Sequence, residues 1–316
     1  MRYLAYGVVV ESDVALGVPP DPRPADILVA RMESPVRTRS VAWLDRDSDP
    51  DLSVGLVPGG FYLRFHKEAE FVVSADGRSL HWFAVAGLSD TLVHLLLDQV
   101  LPRALTRLGR VILHGSCVAR DDHGCLAICG VSGAGKSTIA AALMARGFRV
   151  VADDCVVVQE PGIPPLVVPA YPGLRLSATS IRVSGLTGLE VHGPVSRHST
   201  KMRIAPPSDS GLRVSETRVP LRAIVVLPDP DAEDGSQPIP GVELTPAAAG
   251  IELLRHSFQL NGPGERSASL SRILSIADAC RVSLMRYDHT DAGLQAVCDA
   301  IDAALIDRLP AGRMSG

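Results

Sequence analysis

Lysine is scarce in this sequence. Only three occur in 316 residues, Lys67, Lys136 and Lys201, although lysine and arginine together number 31. There is no excess of positive charge either. The formal net charge is −4 and the isoelectric point is about 6.1, which argues against bulk electrostatic binding of nucleic acid or an anionic membrane. No apolar run approaches the ~18 residues needed to cross a bilayer. The opening MRYLAYGVVVES lacks the apolar stretch and cleavage site of a secretory signal, so the expectation is a cytoplasmic protein with no membrane partner. The six cysteines, Cys117, Cys125, Cys129, Cys155, Cys280 and Cys298, include no C-x-x-C pair. Four of them fall in apolar or β-like segments, where a free thiol packs as a small hydrophobe.

What remains is ordinary globular composition, 46% hydrophobic and 21% charged, long enough for one large domain or two smaller ones. The first hundred residues read as short strands: Leu4–Val10, Ile27–Arg31, Phe61–Phe65, Phe71–Ser74 and Leu80–Val85. Turn clusters such as Val18-Pro19-Pro20-Asp21-Pro22 separate them. An amphipathic helix is expected from an N-cap at Ser89, with Leu92, Leu95, Leu96 and Val100 at helical spacing until Pro102 disturbs it. This half, residues 1–105, carries no recognisable catalytic motif and reads as a β-rich accessory domain.

From residue 106 to 316 apolar strands alternate with helices. Val111–Leu113, Leu126–Cys129, Val150–Ala152, Val156–Val158 and Leu221–Leu227 are candidate strands, and Lys136 to Arg146 is a helix ended by Gly147. Thr245-Pro246 caps a helix to about His256, with proline at the first helical position, where its missing N–H costs nothing. Ser267–Ala279 and Asp291–Leu305 are helices around the strand Val282–Arg286. Segment 186–220, rich in Gly, Pro, Ser and Arg, shows no clear periodicity and reads as a flap. Segment 229–241 reads as an acidic surface loop.

Gly130-Val131-Ser132-Gly133-Ala134-Gly135-Lys136-Ser137 fits G-x-x-x-x-G-K-[ST] at every fixed position, with Thr138 following. Glycines let such a loop fold into a nest of N–H groups around a polyphosphate, and the following helix adds its positive end. Lys136 would reach the β- and γ-phosphates of ATP, and Ser137 would offer its hydroxyl to Mg²⁺. About twenty residues on, Val150-Val151-Ala152-Asp153-Asp154 ends an apolar run in two carboxylates. Neighbouring strand residues face opposite ways. One Asp could therefore serve the metal, and in a kinase the other would accept the proton of the attacking hydroxyl. Upstream, Leu113-His114-Gly115-Ser116 ends a strand in His-Gly.

Together, Leu113-His114-Gly115, Gly130–Thr138 and Arg146-Gly147-Phe148-Arg149-Val150-Val151-Ala152-Asp153-Asp154 resemble the catalytic domain of the HPr kinase/phosphorylase family. The resemblance runs from about Leu113 to Arg175 and weakly to Tyr287. It implies an α/β fold: a P-loop kinase domain with a mixed sheet, like phosphoenolpyruvate carboxykinase, here preceded by the β-rich N-terminal domain. It also implies an enzyme that phosphorylates a serine hydroxyl with ATP and Mg²⁺. Carried over residue by residue, it makes Asp153 the base, makes Asp154 a Mg²⁺ ligand with Ser137, and sets His114 near the γ-phosphate and Asp153. The Gly-rich and Pro-Gly-Arg-Asn signatures of the phosphocarrier-specific enzymes are not found. Tyr171-Pro172-Gly173-Leu174-Arg175-Leu176 and His198-Ser199-Thr200-Lys201-Met202-Arg203 stand in their place. The chain is more similar to divergent serine kinases of this superfamily, such as those in lasso-peptide clusters, whose acceptor is a peptide.

Arg175, after a Pro-Gly turn, and Lys201 are candidates to clamp phosphate charge, whereas Arg197 and His198 read as a solvated basic loop. Cys117 and Cys125 read as packing residues, and His256 as the end of a helix. The expected activity is a kinase acting on a serine of a peptide or small protein, with no nucleic-acid partner; a homo-oligomer is left open. A nucleotide-sensing regulatory module and a kinase of a small metabolite such as free serine are the alternatives. The paired carboxylates favour a kinase over the module, since a pure sensor needs no base.

Overall fold

The computed structural model describes residues 1–46, 51–65, 68–84, 89–120, 124–159, 164–171, 173–195, 199–205, 213–214, 217–230 and 241–306. Two large sheets organise them. The first has eight strands in the order Arg2–Ala5, Val8–Ser12, Ile27–Arg31, Ser79–Ala84, Ala69–Ser74, Gly60–Phe65, Leu52–Val57 and Ala42–Asp45. The expected single strand Leu4–Val10 is in fact a hairpin. Tyr6 and Gly7 both take positive φ, 52° and 71°, the backbone of a two-residue turn whose twist matches its strands.

A helical run packs on this sheet: Ser89–Leu95, a π-helical turn Leu96–Val100, then Leu101–Arg107. The helix does not stop at Pro102. That residue sits in the first turn of the last segment, where no N–H is required of it. The irregularity falls instead on the π turn, which buries Leu96, Leu97, Asp98 and Val100. The apolar core beneath the sheet continues into Ile112, Cys155, Val157, Val168, Phe258 and Leu260, so both halves of the chain share it.

The second sheet has nine strands and is mixed. Its spine is the strand Val111–Ala119, longer than the expected Val111–Leu113. Along one edge, Val111 to His114 pair antiparallel with Cys155–Gln159, and Cys117 to Ala119 pair with Arg149–Ala152. The two residues between those partner strands are Asp153 and Asp154. On the other edge lies Cys125–Gly130, antiparallel to the spine and parallel to Val219–Leu227.

Out of Cys125–Gly130 the chain passes through the glycine loop into the Ala-rich helix Lys136–Ala145. Gly147, at φ 91°, ends that helix. The N–H groups of Gly147 and Phe148 return to the carbonyls of Met144 and Leu143 at 3.0 and 3.1 Å, closing its last turn. Thr245 caps Pro246–Arg255 as expected, its hydroxyl accepting from the Ala248 N–H. Helices Arg266–Ala279 and Asp291–Ile306 flank the strand Arg281–Leu284.

Segment 186–220 contains strands, among its described residues, that its composition does not suggest. Glu190–Pro194 and Met202–Ala205 join Leu174–Leu176 in a three-stranded antiparallel sheet. Most of the acidic loop, 231–240, lies outside the described residues, as do Lys67, Pro172, Arg197 and His198. All six cysteines are free and buried, as expected of packing residues. Among the described residues no helix is long and apolar enough to cross a membrane.

Candidate active site

Three glycines shape the loop. Gly130, Gly133 and Gly135 have φ of 153°, 86° and 95°, values that a side chain at Cβ disfavours. At Gly135 a methyl group would also run into the Tyr287 hydroxyl. The helix that follows starts directly from Gly135 with no side-chain cap. Its first N–H groups are therefore not engaged by a capping side chain, which is the arrangement that receives phosphate oxygens. Ser132 and Gly133 are exposed at the rim, while Ala134 is buried beneath it.

Lys136 is only 7% exposed and its ammonium donates to the Val131 carbonyl at 2.7 Å. Burial pushes its pKa down to about 8; Asp154 acts against that shift and the charge of Lys201 adds to it. His114 is also held below its ordinary value, chiefly by burial and then by the charge of Lys136. Lys201, eligible only by its rarity in the sequence, thus lies within electrostatic reach of both groups.

The two aspartates occupy unlike environments. Asp153 is 1% exposed. Its Oδ1 accepts from the hydroxyls of Ser116 and Ser137 at 2.7 and 2.8 Å, and its Oδ2 from the Arg175 N–H at 2.8 Å. Asp154 stands in the left-handed region at φ 72°, with its carboxylate partly exposed 3.6 Å from His114 Nδ1. Its carbonyl lies 3.1 Å from the same nitrogen and accepts from the Gly115 N–H at 3.1 Å. The resemblance implies Ser137 and Asp154 as joint Mg²⁺ ligands; the hydrogen bond of the Ser137 hydroxyl is to Asp153, the inward residue of the pair.

The expectation of Arg175 as a phosphate clamp is corrected. Its guanidinium is not free to clamp phosphate. It is buried against Asp98, and its Nη1 donates to the Asp153 carbonyl at 2.9 Å. Thr138 turns its hydroxyl to Ser180 at 2.9 Å. Two contributors escaped the sequence reading. Ser116, two residues after His114 on the same strand, faces the same side by simple alternation. Residues 256–258 brace that strand: the His256 carbonyl accepts from the His114 N–H at 2.6 Å, and the Phe258 ring stands edge-on to His114.

Oxygen donors suited to Mg²⁺ are already grouped here. The Ser137 hydroxyl and the Asp153 carboxylate are in contact, and Asp154 is the next residue along the chain. Magnesium bound through one or two carboxylates and the substrate's phosphates needs no larger protein cage. The donor set fits.

A strand, a glycine loop, an uncapped helix and a carboxylate pair are thus brought together beside one sheet edge. Residues 107–186, which hold the spine strand, the glycine loop, its helix, both aspartates and Arg175, match the family model described as the HPr Serine kinase C-terminal domain. The protein is HPr kinase-like over that segment. Among solved structures, the Hpr(Ser) kinase/phosphatase from Coxiella burnetii is similar over 62% of this chain and 97% of its own, with 14% identity and a TM-score of 0.34. No curated protein matches.

Proposed function

We propose that this protein is a kinase that uses ATP and Mg²⁺ to phosphorylate a serine hydroxyl on a peptide or small protein. The observation that carries the reading is the contact of Ser137 with Asp153 beside Lys136, with a second, more open carboxylate on the next residue. Mg²⁺, when bound, supplies charge neutralisation across the β- and γ-phosphates. Ser137 and Asp153 would hold it, and Lys136 with the loop's N–H groups would hold the phosphates.

The acceptor-side role then falls to Asp154. A base must reach the hydroxyl it deprotonates, and Asp153 is enclosed by three donors whereas Asp154 is partly exposed next to His114. This reverses the assignment implied by the family resemblance. His114, bonded through Nδ1 to the Asp154 backbone, would orient Asp154 or the incoming hydroxyl. Lys201, whose charge acts on both Lys136 and His114, is the cation assigned to the γ-phosphate here, since Arg175 is committed elsewhere.

The test is incubation of the full chain with γ-labelled ATP and Mg²⁺, offering serine-bearing peptides, the histidine-containing phosphocarrier and free serine in parallel. Label on peptide serine is expected. Rapid labelling of the phosphocarrier with the peptides untouched would overturn the substrate assignment. Label on free serine alone would make the enzyme a metabolite kinase, and nucleotide binding without transfer to any acceptor would make it a regulatory module.

A further inference from the structure

Asp98 is an anomaly of the N-terminal half. It lies in the π-helical turn between Leu97 and Val100 and is wholly buried. A carboxylate in such a place costs several kcal/mol unless it is paired and hydrogen-bonded, and single π turns inside α-helices recur at functional sites. Here the carboxylate is surrounded by donors. Its Oδ2 accepts from Arg175 Nε at 3.2 Å and contacts His94 Nδ1 at 2.7 Å. Its Oδ1 accepts from Arg175 Nη2, from the Tyr171 hydroxyl, and from the Tyr6 hydroxyl at 3.5 Å.

The donors converge from separate segments. Tyr6 comes from the first hairpin turn, His94 from the helix before the π turn, and Tyr171 and Arg175 from the catalytic half. The Tyr6 and Tyr171 rings meet edge to face at 5.8 Å, and the Arg175 guanidinium lies 5.1 Å from the Tyr171 ring centre. Arg203 is the cross-strand partner of Arg175 and adds a second positive charge attracted to Asp98.

Arg175 links this cluster to the site. One side chain bridges Asp98 and the Asp153 carbonyl, while its own N–H holds Asp153 Oδ2. Arg175 therefore grips Asp153 at two atoms and is itself gripped by Asp98. We infer that Asp98 is a positioning residue for Asp153, acting through Arg175, so that the N-terminal half fixes the carboxylate that shares a hydrogen bond with Ser137. The inference rests on the proposed metal-side role of Asp153 for its catalytic meaning, but its geometry stands apart from that role.

The test uses the full chain with Asp98→Asn, which keeps shape and removes charge, and with Tyr6→Phe, which deletes one hydroxyl. Calorimetric titration of ATP over a range of Mg²⁺ should show the half-saturating Mg²⁺ rising about tenfold in Asp98→Asn, with metal-free ATP affinity unchanged. Adding Asp98→Asn to Asp153→Asn should produce no further rise, because residues acting through one group are not additive. A folded Asp98→Asn with unshifted Mg²⁺ dependence, or a fully additive double variant, overturns the inference. Should Asp98→Asn fail to fold, Tyr6→Phe carries the same test with a shift of about threefold. Hydrogen exchange separates this inference from the kinase reading. If the wild type shows no Mg²⁺-dependent ATP binding, the kinase reading fails. The Arg175 amide then decides alone: faster exchange in Asp98→Asn supports positioning, and unchanged exchange refutes it.

Discussion

Lys136 is buried against a carbonyl of its own loop, with its pKa pushed down from 10.5 to about 8, chiefly by burial. That shift means that charging this ammonium in the empty loop costs about 3 kcal/mol relative to water. A bound triphosphate brings several negative charges to the ammonium and restores its pKa. Binding above pH 8 must then take up a proton: about half a proton per ATP at pH 8 and about nine-tenths at pH 9. ATP has lost its own last phosphate proton by then, since such groups titrate near pH ~6. His114 is held low and stays neutral, and burial keeps Cys129 and Tyr287 protonated with pKa values raised to about 12. Calorimetry at pH 8.5 in two buffers of very different ionisation enthalpy reads the uptake directly. Lys136→Arg should abolish it while keeping charge, and Lys136→Ala should abolish it and cut affinity at least tenfold, about 1.4 kcal/mol. Without ligand the sign reverses. The unfolded chain holds more protons on Lys136 than the fold does, so its contribution to stability rises with pH between about 8 and 10. A binding enthalpy independent of buffer, or an uptake that survives Lys136→Ala, would refute this reasoning.

Further outcomes follow from the site. Asp153→Asn should weaken Mg²⁺-dependent ATP binding about tenfold, while Asp154→Asn should leave binding intact and slow transfer by about 10²–10⁴-fold. Titration and single-turnover assays distinguish them, and exchanged behaviours would restore Asp153 as the base. Gly135→Ala drives a methyl into Tyr287 and should abolish nucleotide binding, with partial recovery in a Tyr287→Ala background. Gly133→Ala meets nothing within 4 Å and should cost only backbone strain, about 1 kcal/mol by thermal melting. Ser116→Ala removes one donor to buried Asp153 and should destabilise the fold by about 1–3 kcal/mol while leaving metal-free ATP affinity unchanged.

Much of this site was legible because its signals are local. The glycine loop needs residues with positive φ at set spacing, and a strand and a helix on either side announce themselves by apolar runs. The carboxylate pair was equally visible, but which carboxylate faces the loop was not. Alternation alone says that neighbours diverge; it does not say which turns inward. That is settled by the spine strand, whose Ser116 meets Asp153 from across the sheet. Arg175 was misread for a related reason. A basic residue after a Pro-Gly turn near a phosphate site suggests a clamp, but its partner Asp98 lies 77 positions away in the chain. The Leu96-Leu97-Asp98 run did hold a clue, since an acid inside an apolar helix face is seldom buried without a cation. Segment 186–220 hid its strands because they are short: Glu190–Pro194 and Met202–Ala205 pair with each other and with Leu174–Leu176, and Arg213–Val214 is two residues paired to Arg149 and Val150.

The spine strand explains how adjacent residues come to lie in opposite surroundings. Val111–Ala119 runs unbroken, while its partner edge is two strands with Asp153 and Asp154 between them. Had the edge been continuous, both carboxylates would lie within a hydrogen-bonded ladder. The break instead lets Asp154 adopt φ 72°, a conformation aspartate tolerates better than most residues and one that costs energy retained mainly at functional sites. That kink carries Asp154 toward His114 and solvent while Asp153 stays inside, fixed by two hydroxyls and an amide. An acceptor-only carboxylate held by three donors suits a metal, which rewards fixed negative charge. A carboxylate with an open side suits a proton acceptor. Unlike surroundings for two like groups are how a site can separate its acid–base tasks, and here a single left-handed residue produces the unlike surroundings on which the proposed division of roles rests.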